Sequence, residues 1–336
     1  MSRTASLRSQ RRRSRLVNDP QRLERFRADL DSLIAPEARI GVAVSGGPDS
    51  LALLLLAAAA RPGQVEAATV DHGLRAESRS EAEMVASLCE KLGIPHSILA
   101  ARWSEKPMTA IQERARRERY RLLGYWAEER GLDVLATGHH ADDQAETFIM
   151  RLNRGAGVRG LAGMRRRSYA PGTEVRLIRP LLAWRRRELE EVCADGGLTP
   201  LIDPSNEDDR FERVRVRSAL GTSNWLDPAA IARSAAHLAD AESALEWATR
   251  LSWKQAVRER NGTIMFVPAD VPSEITRRIV ARAVLRLATE GEDDLRGAEL
   301  DNLIAALWRG EAATLRGVHC RGGSEWLFSS APPRRS

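Results

Sequence analysis

The chain has 336 residues, 43% of them hydrophobic, which is enough for two domains with buried cores. It contains no apolar run of the roughly 18 residues that a membrane span needs, no apolar segment behind the basic N-terminus, and only three widely spaced cysteines. We therefore expect a cytoplasmic protein with no membrane span, disulfide framework or zinc site; the net charge of +6 suits a nucleic-acid partner, although an arginine-rich proteome would give the same bias.

The N-terminal region consists of a basic arm and a first helix. Residues 1–15 hold six arginines and no acid, so we expect residues 1–18 to be a disordered arm that is either simply solvated or in nonspecific contact with RNA. A helix is predicted from Asp19 or Pro20 to about Leu33, with apolar residues at helical spacing.

The stretch from Ile40 to Ala60 is typical of a buried strand, a glycine turn and a helix. The strand ends at Ser45, and the helix is predicted to begin with Asp49 or Ser50 as its cap. A turn of this kind points backbone N–H groups and a helix dipole at one small volume, which favours a phosphate group. The spacing fits neither the Walker loop nor the dinucleotide fingerprint, and a turn without a ligand is the competing interpretation. The predicted phosphate loop comprises Ser45, Gly46, Gly47, Pro48, Asp49 and Ser50.

Three further strand-to-helix units indicate an α/β fold with a doubly wound, mainly parallel sheet. The predicted strands are 65–70, 96–100 and 132–136, and the predicted helices are 78–91 and 109–130. The 65–70 strand is followed by polar residues from Asp71 to Arg75, at the edge where open α/β sheets bind ligands.

A second dense polar motif, Thr137–Thr147, follows the 132–136 strand. His139, Asp143 and Glu146 are spaced four and three residues apart, so they can occupy neighbouring positions at one end of a helix. Capping of the helix N-terminus would explain Asp142 or Asp143, but it does not explain two adjacent histidines. Imidazoles and carboxylates beside a phosphate loop suit Mg²⁺, a cationic substrate and proton transfer.

Two arginine-rich stretches follow the second motif. Residues 151–164 contain four glycines and several arginines, which indicate either a mobile substrate loop or a plain linker. Residues 211–217 alternate arginine with valine, after a strand at 175–178, a helix at 184–194 and a turn at 203–206. The candidate tRNA-binding residues are Arg151, Arg154, Arg213, Arg215 and Arg217.

Residues 223–330 are predicted to form a smaller, mainly helical α+β domain. Helices are expected at 228–259, 274–288 and 297–308, with short strands at 263–267, 314–319 and 325–328. This region has no dense catalytic motif, so the chemistry is assigned to residues 19–222.

Taken in order, the motifs resemble those of a known enzyme family. Ser45–Ser50 is similar to the loop of N-type ATP pyrophosphatases, or PP-loop enzymes, whose sheet is Rossmann-like. The strings Asp71–Arg75, Thr137–Thr147, Arg154–Gly157, Arg179–Leu182 and Asp203–Asn206 together resemble the tRNA(Ile)-lysidine synthetases. Two features depart from that family: Val214 stands where asparagine is common, and the C-terminal region is shorter than in the longest members.

The resemblance implies that ATP and Mg²⁺ activate carbon 2 of the wobble cytidine in a tRNA(Ile) with a CAU anticodon, and that free L-lysine displaces AMP. It implies that Asp49 holds the metal or organises the reacting groups, and that Asp143 and Glu146 bind lysine with His139 nearby. Arg116 is the implied contact for AMP or an RNA phosphate. Residues 223–330 are the implied tRNA-binding or accessory domain, and the oligomeric state is left open, a dimer included.

Three other functions compete with this one. PP-loop tRNA-thiolating enzymes commonly use paired cysteines or zinc-binding cysteine pairs, which this sequence lacks. Small-molecule amidating pyrophosphatases are disfavoured by the basic arm and the extra domain. A tRNA-binding module with a relic nucleotide site is disfavoured because Asp49, Asp143 and Glu146 are all present.

Overall fold

The computed structural model describes residues 17–73, 78–103, 111–201, 209–288, 295 and 297–331. The chain divides into two compact units, Met1–Ala239 and Asp240–Ser336. Three predicted features lie wholly or partly outside the described residues: the disordered arm up to residue 16, residues 74–75 of the polar stretch Asp71–Arg75, and the turn at 203–206. The assignment of 19–222 and 223–330 as functional domains stays a prediction.

The first unit is built on a six-stranded sheet in the order β3-β2-β1-β4-β6-β5. Its strands are β1 (Ile40–Ala43), β2 (Val65–Asp71), β3 (His96–Ala100), β4 (Val134–Ala136), β5 (Arg167–Tyr169) and β6 (Arg176–Ile178). Every neighbouring pair is parallel except β5 and β6, which form an antiparallel hairpin at one edge. The predicted parallel sheet is confirmed, and the β5 strand is an element that the sequence did not predict.

Helices cover both faces of this sheet. The helices of the first unit are α1 (Pro20–Asp31), α2 (Pro48–Ala60), α3 (Ser78–Leu92), α4 (Ile111–Glu129), α5 (Ala141–Leu152), α6 (Val158–Leu161), α7 (Arg186–Asp195) and α8 (Glu212–Thr222), followed by the long α9 (Pro228–Ala256). One core joins β1 to α1, α2, α3 and α7, while a second core packs α4 on the opposite face. Gly41 permits this two-sided packing, because a Cβ there would lie 2.7 Å from the Trp126 ring.

The sheet order creates a switch point between β1 and β4. From β1 the chain moves outward through β2 to β3, then returns to the other side of β1 with β4. In open α/β sheets, ligands bind beyond the carboxyl ends of the strands at this point. The loop after β1 and the polar motif after β4 are therefore brought side by side.

The second unit contains a five-stranded antiparallel sheet, β7-β8-β11-β10-β9, packed against helices. Its elements are β7 (Val257–Arg260), β8 (Thr263–Phe266), α10 (Ser273–Leu287), α11 (Gly297–Trp308), β9 (Ala312–Leu315), β10 (Val318–Arg321) and β11 (Trp326–Ser330). The single strand predicted at 314–319 is wrong. Arg316 and Gly317 have φ values of 50° and 73°, so the chain turns tightly there and forms a hairpin of β9 and β10. None of the described helices combines the length and the apolar character that a membrane crossing requires.

Candidate active site

The loop after β1 forms a concave surface of backbone N–H groups. Gly46 has a φ of 86°, and its carbonyl accepts a hydrogen bond from the Leu201 N–H at 3.0 Å. Gly47 has an ordinary φ of −72° and precedes α2 as its N-terminal cap residue. No side chain caps this helix, so the N–H groups of Asp49 and Ser50 in its first turn remain available for an anion.

The predicted cap of α2 is wrong, because the helix begins earlier. Pro48 occupies its first position, where the missing N–H carries no cost. Ser50 instead stabilises the loop through two hydrogen bonds within it. Its Oγ accepts from the Ser45 N–H at 3.1 Å and donates to the Gly47 carbonyl at 2.9 Å. The N–H groups at the positive end of the α2 dipole therefore have no side-chain partner and can bind an anion.

The motif after β4 lies directly against this loop. Gly138 is the point of closest approach, since a Cβ there would lie 2.8 Å from the Asp49 carbonyl oxygen. His140 follows as the N-terminal cap of α5 and is only 2% exposed. The two predicted motifs are therefore in contact.

His140 connects the carboxylates of both motifs. Its Nε2 lies 3.4 Å from Asp49 Oδ2 and 3.5 Å from Asp143 Oδ2, and its Nδ1 lies 3.6 Å from Asp142 Oδ2. Burial alone would lower the pKa of His140, but hydrogen bonds to Asp142 and Asp49 and the charge of Asp143 raise it to about 10. The imidazolium is thus the favoured form. The Asp143 N–H approaches His140 Nδ1 at 3.4 Å, and the His140 N–H donates to Asp143 Oδ2 at 3.1 Å, which closes the N-terminus of α5.

Asp142 links the start of α5 to the start of α7. It accepts from Arg185 Nη2 at 3.0 Å and from the Arg186 N–H at 2.8 Å. Burial would raise the pKa of Asp142, but the hydrogen bonds from His140, Arg185 and Arg186 outweigh burial and hold it below the ordinary value. The capping interpretation fits Asp143, which accepts from the His140 N–H at 3.1 Å in the capping box of α5, whereas Asp142 is a structural anion at the start of α7.

Asp143 and Glu146 both carry guanidinium partners. Arg213 donates to Asp143 Oδ1 at 2.8 Å and to Glu146 Oε2 at 2.6 Å, and Arg217 donates to Glu146 Oε1 at 2.6 Å. Glu146 is 2% exposed, so it is a buried anion with two cations. The pKa of Asp143 is raised, because burial outweighs the opposing charges of His140 and Arg213.

His139 is held in a different environment from its neighbour. Its Nδ1 lies 2.9 Å from Thr137 Oγ1. Burial lowers the pKa of His139 well below its ordinary value, and the charges of Arg179, Arg116, Arg119 and Arg213 lower it further. Adjacent histidines in one motif therefore differ in charge, with His139 neutral and His140 cationic.

The remaining predicted arginines are spread around the site. Arg151 donates to the Gly160 carbonyl at 2.7 Å and holds the 151–164 segment in place, with α6 inside that segment. Arg154 forms an ion pair with Glu212, and Arg215 is exposed and bonded to the Asp209 and Arg210 carbonyls. The tRNA contacts predicted for these residues and for Arg213 and Arg217 stay predictions.

Sequence reasoning missed two parts of this arrangement. It selected His139 and left His140 without a role, because the order of two adjacent histidines does not show which one faces the loop. It also treated residues 211–217 as an alternation of arginine and valine, whereas in the structure they form the start of α8. The spacing of four residues between Arg213 and Arg217 could have indicated that both side chains share one helical face.

The fold and the site define a PP-loop ATP pyrophosphatase. Residues 16–223 match the family described as PP-loop domain. A solved structure, the U34-tRNA thiolase NcsA from Methanococcus maripaludis, is similar with a TM-score of 0.55 and 20% identity, and the match covers 65% of this chain and 78% of that one. At this identity the likeness shows the fold alone.

Curated relatives narrow the class to one family. The tRNA(Ile)-lysidine synthase of Novosphingobium aromaticivorans is 50% identical over 315 residues, covering 93% of this chain and 94% of that protein. The enzyme of the same name from Zymomonas mobilis is 40% identical, with 92% and 99% covered. The chain belongs to the tRNA(Ile)-lysidine synthase family.

The competing thiolation chemistry is not favoured by the cysteines. Cys89, Cys193 and Cys320 are buried and form no disulfide. Burial raises the pKa of each of these thiols to about 12, so none is a ready thiolate at neutral pH.

Proposed function

We propose that this chain activates carbon 2 of the wobble cytidine in a tRNA(Ile) with a CAU anticodon, using ATP, and that free L-lysine then displaces AMP to form lysidine. The observation that carries the proposal is the contact of the two motifs through His140, which lies within 3.5 Å of both Asp49 and Asp143. The loop after β1 offers backbone N–H groups for the phosphates of ATP, and the motif after β4 offers carboxylates for the amine of lysine. The reaction requires the activated nucleotide and the amine at the same carbon atom of cytidine.

The loop after β1 is the site for the leaving pyrophosphate. Its free N–H groups and the end of the α2 dipole stabilise negative charge that grows as pyrophosphate departs. Ser45 and Ser50, whose hydroxyls lie 3.2 Å apart, fix the shape of the loop and keep it ready before the substrate arrives.

Asp49 is the residue that would hold Mg²⁺. Its Oδ1 is buried with no hydrogen-bond partner, which suits a hard cation. No group of three or more acidic, histidine or cysteine side chains in the described ranges could hold a metal alone, so phosphate oxygens and water would complete the shell. When bound, Mg²⁺ supplies neutralisation of the developing pyrophosphate charge.

The amine of lysine is assigned to Asp143. Burial raises the pKa of Asp143, so this carboxylate is a better proton acceptor than an exposed one. Glu146 already carries two guanidinium groups, so its role is to hold Arg213 and Arg217 behind Asp143 while it adds negative charge to the subsite. His139 stays neutral, because burial and nearby arginines hold its pKa well below the ordinary value, so its role is hydrogen bonding rather than proton acceptance.

The tRNA is proposed to approach the same sheet edge over exposed arginines such as Arg154 and Arg215. Choice of tRNA(Ile) over other CAU-bearing tRNAs is proposed to involve the second unit, and a cytoplasmic location follows from the proposed substrate. Contacts of arginine with RNA phosphates should weaken as the salt concentration rises, so the salt dependence of tRNA binding measures their number.

The test is incorporation of radiolabelled lysine into a minimal tRNA(Ile) transcript with the CAU anticodon, beside a transcript carrying a wobble uridine. Label is expected only in the cytidine transcript, together with tRNA-dependent ATP–pyrophosphate exchange. Asp143→Asn should lose the label and retain exchange, whereas Asp195→Asn, a change in a surface ion pair with Arg22, should behave as wild type. Label in the uridine transcript would refute the proposed site of reaction, and wild-type labelling by Asp143→Asn would remove Asp143 from the mechanism.

A further inference from the structure

The 151–164 segment is folded through hydrogen bonds of its own. The sequence left two interpretations of it open, a mobile substrate loop and a plain linker. In the structure, the Ala156 N–H donates to the Arg151 carbonyl at 3.0 Å, and the Leu161 N–H donates to the Gly157 carbonyl at 2.9 Å at the single turn of α6. The segment is therefore an ordered element that follows α5.

Two side chains of α5 hold this segment against the helix. Arg151, in the last turn of α5, donates to the Gly160 carbonyl at 2.7 Å. Gln144, near the N-terminus of α5, binds both backbone groups of Met164: its Nε2 donates to the Met164 carbonyl at 2.9 Å, and its Oε1 accepts from the Met164 N–H at 2.7 Å. The segment thus returns along α5 from the end of the helix to its beginning.

The paired hydrogen bonds of Gln144 and Met164 form an amide clamp. Gln144 is only 4% exposed, so a side chain without the amide would leave two backbone groups of Met164 unpaired in a buried place. The neighbouring Gly163 is adapted to the clamp, because it has a φ of 62° and a Cβ there would lie 2.6 Å from Gln144 Oε1. Both the amide and the glycine are therefore needed for this packing.

The clamp connects the acidic end of α5 to an exposed basic surface. Gln144 lies between Asp143 and Glu146 in the sequence, but those carboxylates pair with arginines of α8, whereas the Gln144 amide binds the segment. The segment carries Arg154, which pairs with Glu212 at the start of α8 and keeps 63% of its side chain exposed. Arg154 is thus presented to solvent by a segment that is held by both helices.

We infer that Gln144 is a positioning residue for tRNA binding: its amide fixes the 151–164 segment on α5, so that Arg154 meets the RNA backbone on a preformed surface. The inference rests on the proposed function, since it concerns how that reaction's RNA substrate is received. An arginine on a mobile loop loses conformational freedom when it binds a phosphate, and this loss weakens binding. A segment that is already folded avoids most of that cost. Gln144 is buried and acts only through the segment.

The experiment combines limited trypsin cleavage of the full chain with steady-state kinetics. Arg154 and Arg159 supply cleavage sites inside the segment. Gln144→Met, which keeps the size of the side chain and removes the amide, should be cleaved there about tenfold faster than the wild type. The same variant should raise KM for tRNA about tenfold, and leave KM for ATP and lysine unchanged and kcat within about twofold. Urea denaturation verifies that the variant is folded under the assay conditions.

Gly163→Ala is an independent second variant, because its methyl group displaces the Gln144 amide without removing it, and it should show the same two effects. Gly172→Ala is its matched control. Gly172 has a similar φ of 74° and nothing within 4 Å of a built Cβ, so alanine there carries the backbone strain without touching the clamp and should keep wild-type cleavage and KM. Gln21→Met, at an exposed position of α1, controls for the loss of a glutamine.

Three results would overturn the role of Gln144. One is cleavage of the segment at the same rate in the wild type and Gln144→Met. The second is faster cleavage with an unchanged KM for tRNA, which would make the clamp merely structural, and the third is an equal rise of KM for all three substrates. Absence of lysine incorporation by the wild type would instead overturn the proposed function, while the trypsin rates would still report on the clamp.

Discussion

Gly138→Ala, which adds a single methyl group, should push the motif after β4 away from the loop after β1. The added methyl group would lie 2.8 Å from the Asp49 carbonyl oxygen and 3.1 Å from the Ser50 nitrogen, both of them backbone atoms. Gly138 is outside the left-handed region of φ, so alanine would suffer only from this contact. Because ordinary contacts begin near 3.4 Å, the β4 motif and the loop would have to separate by about 0.6 Å.

Two effects of this separation can be measured. Overpacking against backbone should lower the free energy of unfolding by about 1–3 kcal/mol, observed as a lower midpoint of urea denaturation. A misplacement of this size between reacting groups should reduce the rate of tRNA-dependent ATP–pyrophosphate exchange by about tenfold, at a urea-free condition where the variant is folded.

Gly221→Ala is the matched control. Gly221 lies in α8 with nothing within 4 Å of a built Cβ, so alanine there should be neutral or stabilise the protein by up to about 1 kcal/mol. If Gly138→Ala kept wild-type exchange and stability, the close approach of the motifs would not matter for the chemistry, and the role given to their contact would be wrong.

Two further predictions concern charge. Asp142→Asn should cost about 2 kcal/mol near neutral pH, because it weakens the bonds to Arg185. Since the pKa of Asp142 is held below its ordinary 3.8, this advantage should begin to shrink as pH falls below about 3.8 and disappear only below the lowered pKa of the folded state, so urea titrations should show a smaller difference between the two proteins at about pH 3 than at about pH 6. In the second unit, Glu242→Gln should also cost about 2 kcal/mol in thermal unfolding, because Glu242 is bound by Arg278 at 2.5 and 2.8 Å and both side chains are about nine-tenths buried. Arg309→Ala, in an exposed pair with Glu311, should leave the melting temperature essentially unchanged, and equal effects of the two substitutions would refute the role of burial.

The sequence predicts the first unit well because its signals are local. The buried β-branched run at 40–44, the glycine turn after it and the apolar helix that follows are found within a few residues of where they were expected. Parallel strands joined by helices leave few topologies, so the shared edge of the two motifs could also be predicted. Gly46 was correctly identified as a position for a tight turn, whereas Gly47 has an ordinary backbone, and a Cβ there would make only an ordinary contact with Ser45 Oγ at 3.7 Å.

The missed features depend on contacts between distant residues. The β5 strand has polar, exposed residues and exists only because it pairs with β6. The partners of Arg213 and Arg217 are about 70 residues away in the chain, so the sequence could show a shared helical face but not what that face meets.

The position of His140 explains how one sheet edge can serve two half-reactions. Asp49 and Asp143 lie in the first turns of α2 and α5, and both carboxylates lie within 3.5 Å of the same buried nitrogen. Two carboxylates that close would repel each other and one would take up a proton unless a cation lay between them. The imidazolium of His140 supplies that charge, so the proposed nucleotide side and the proposed amine side of the site can meet at one buried ring.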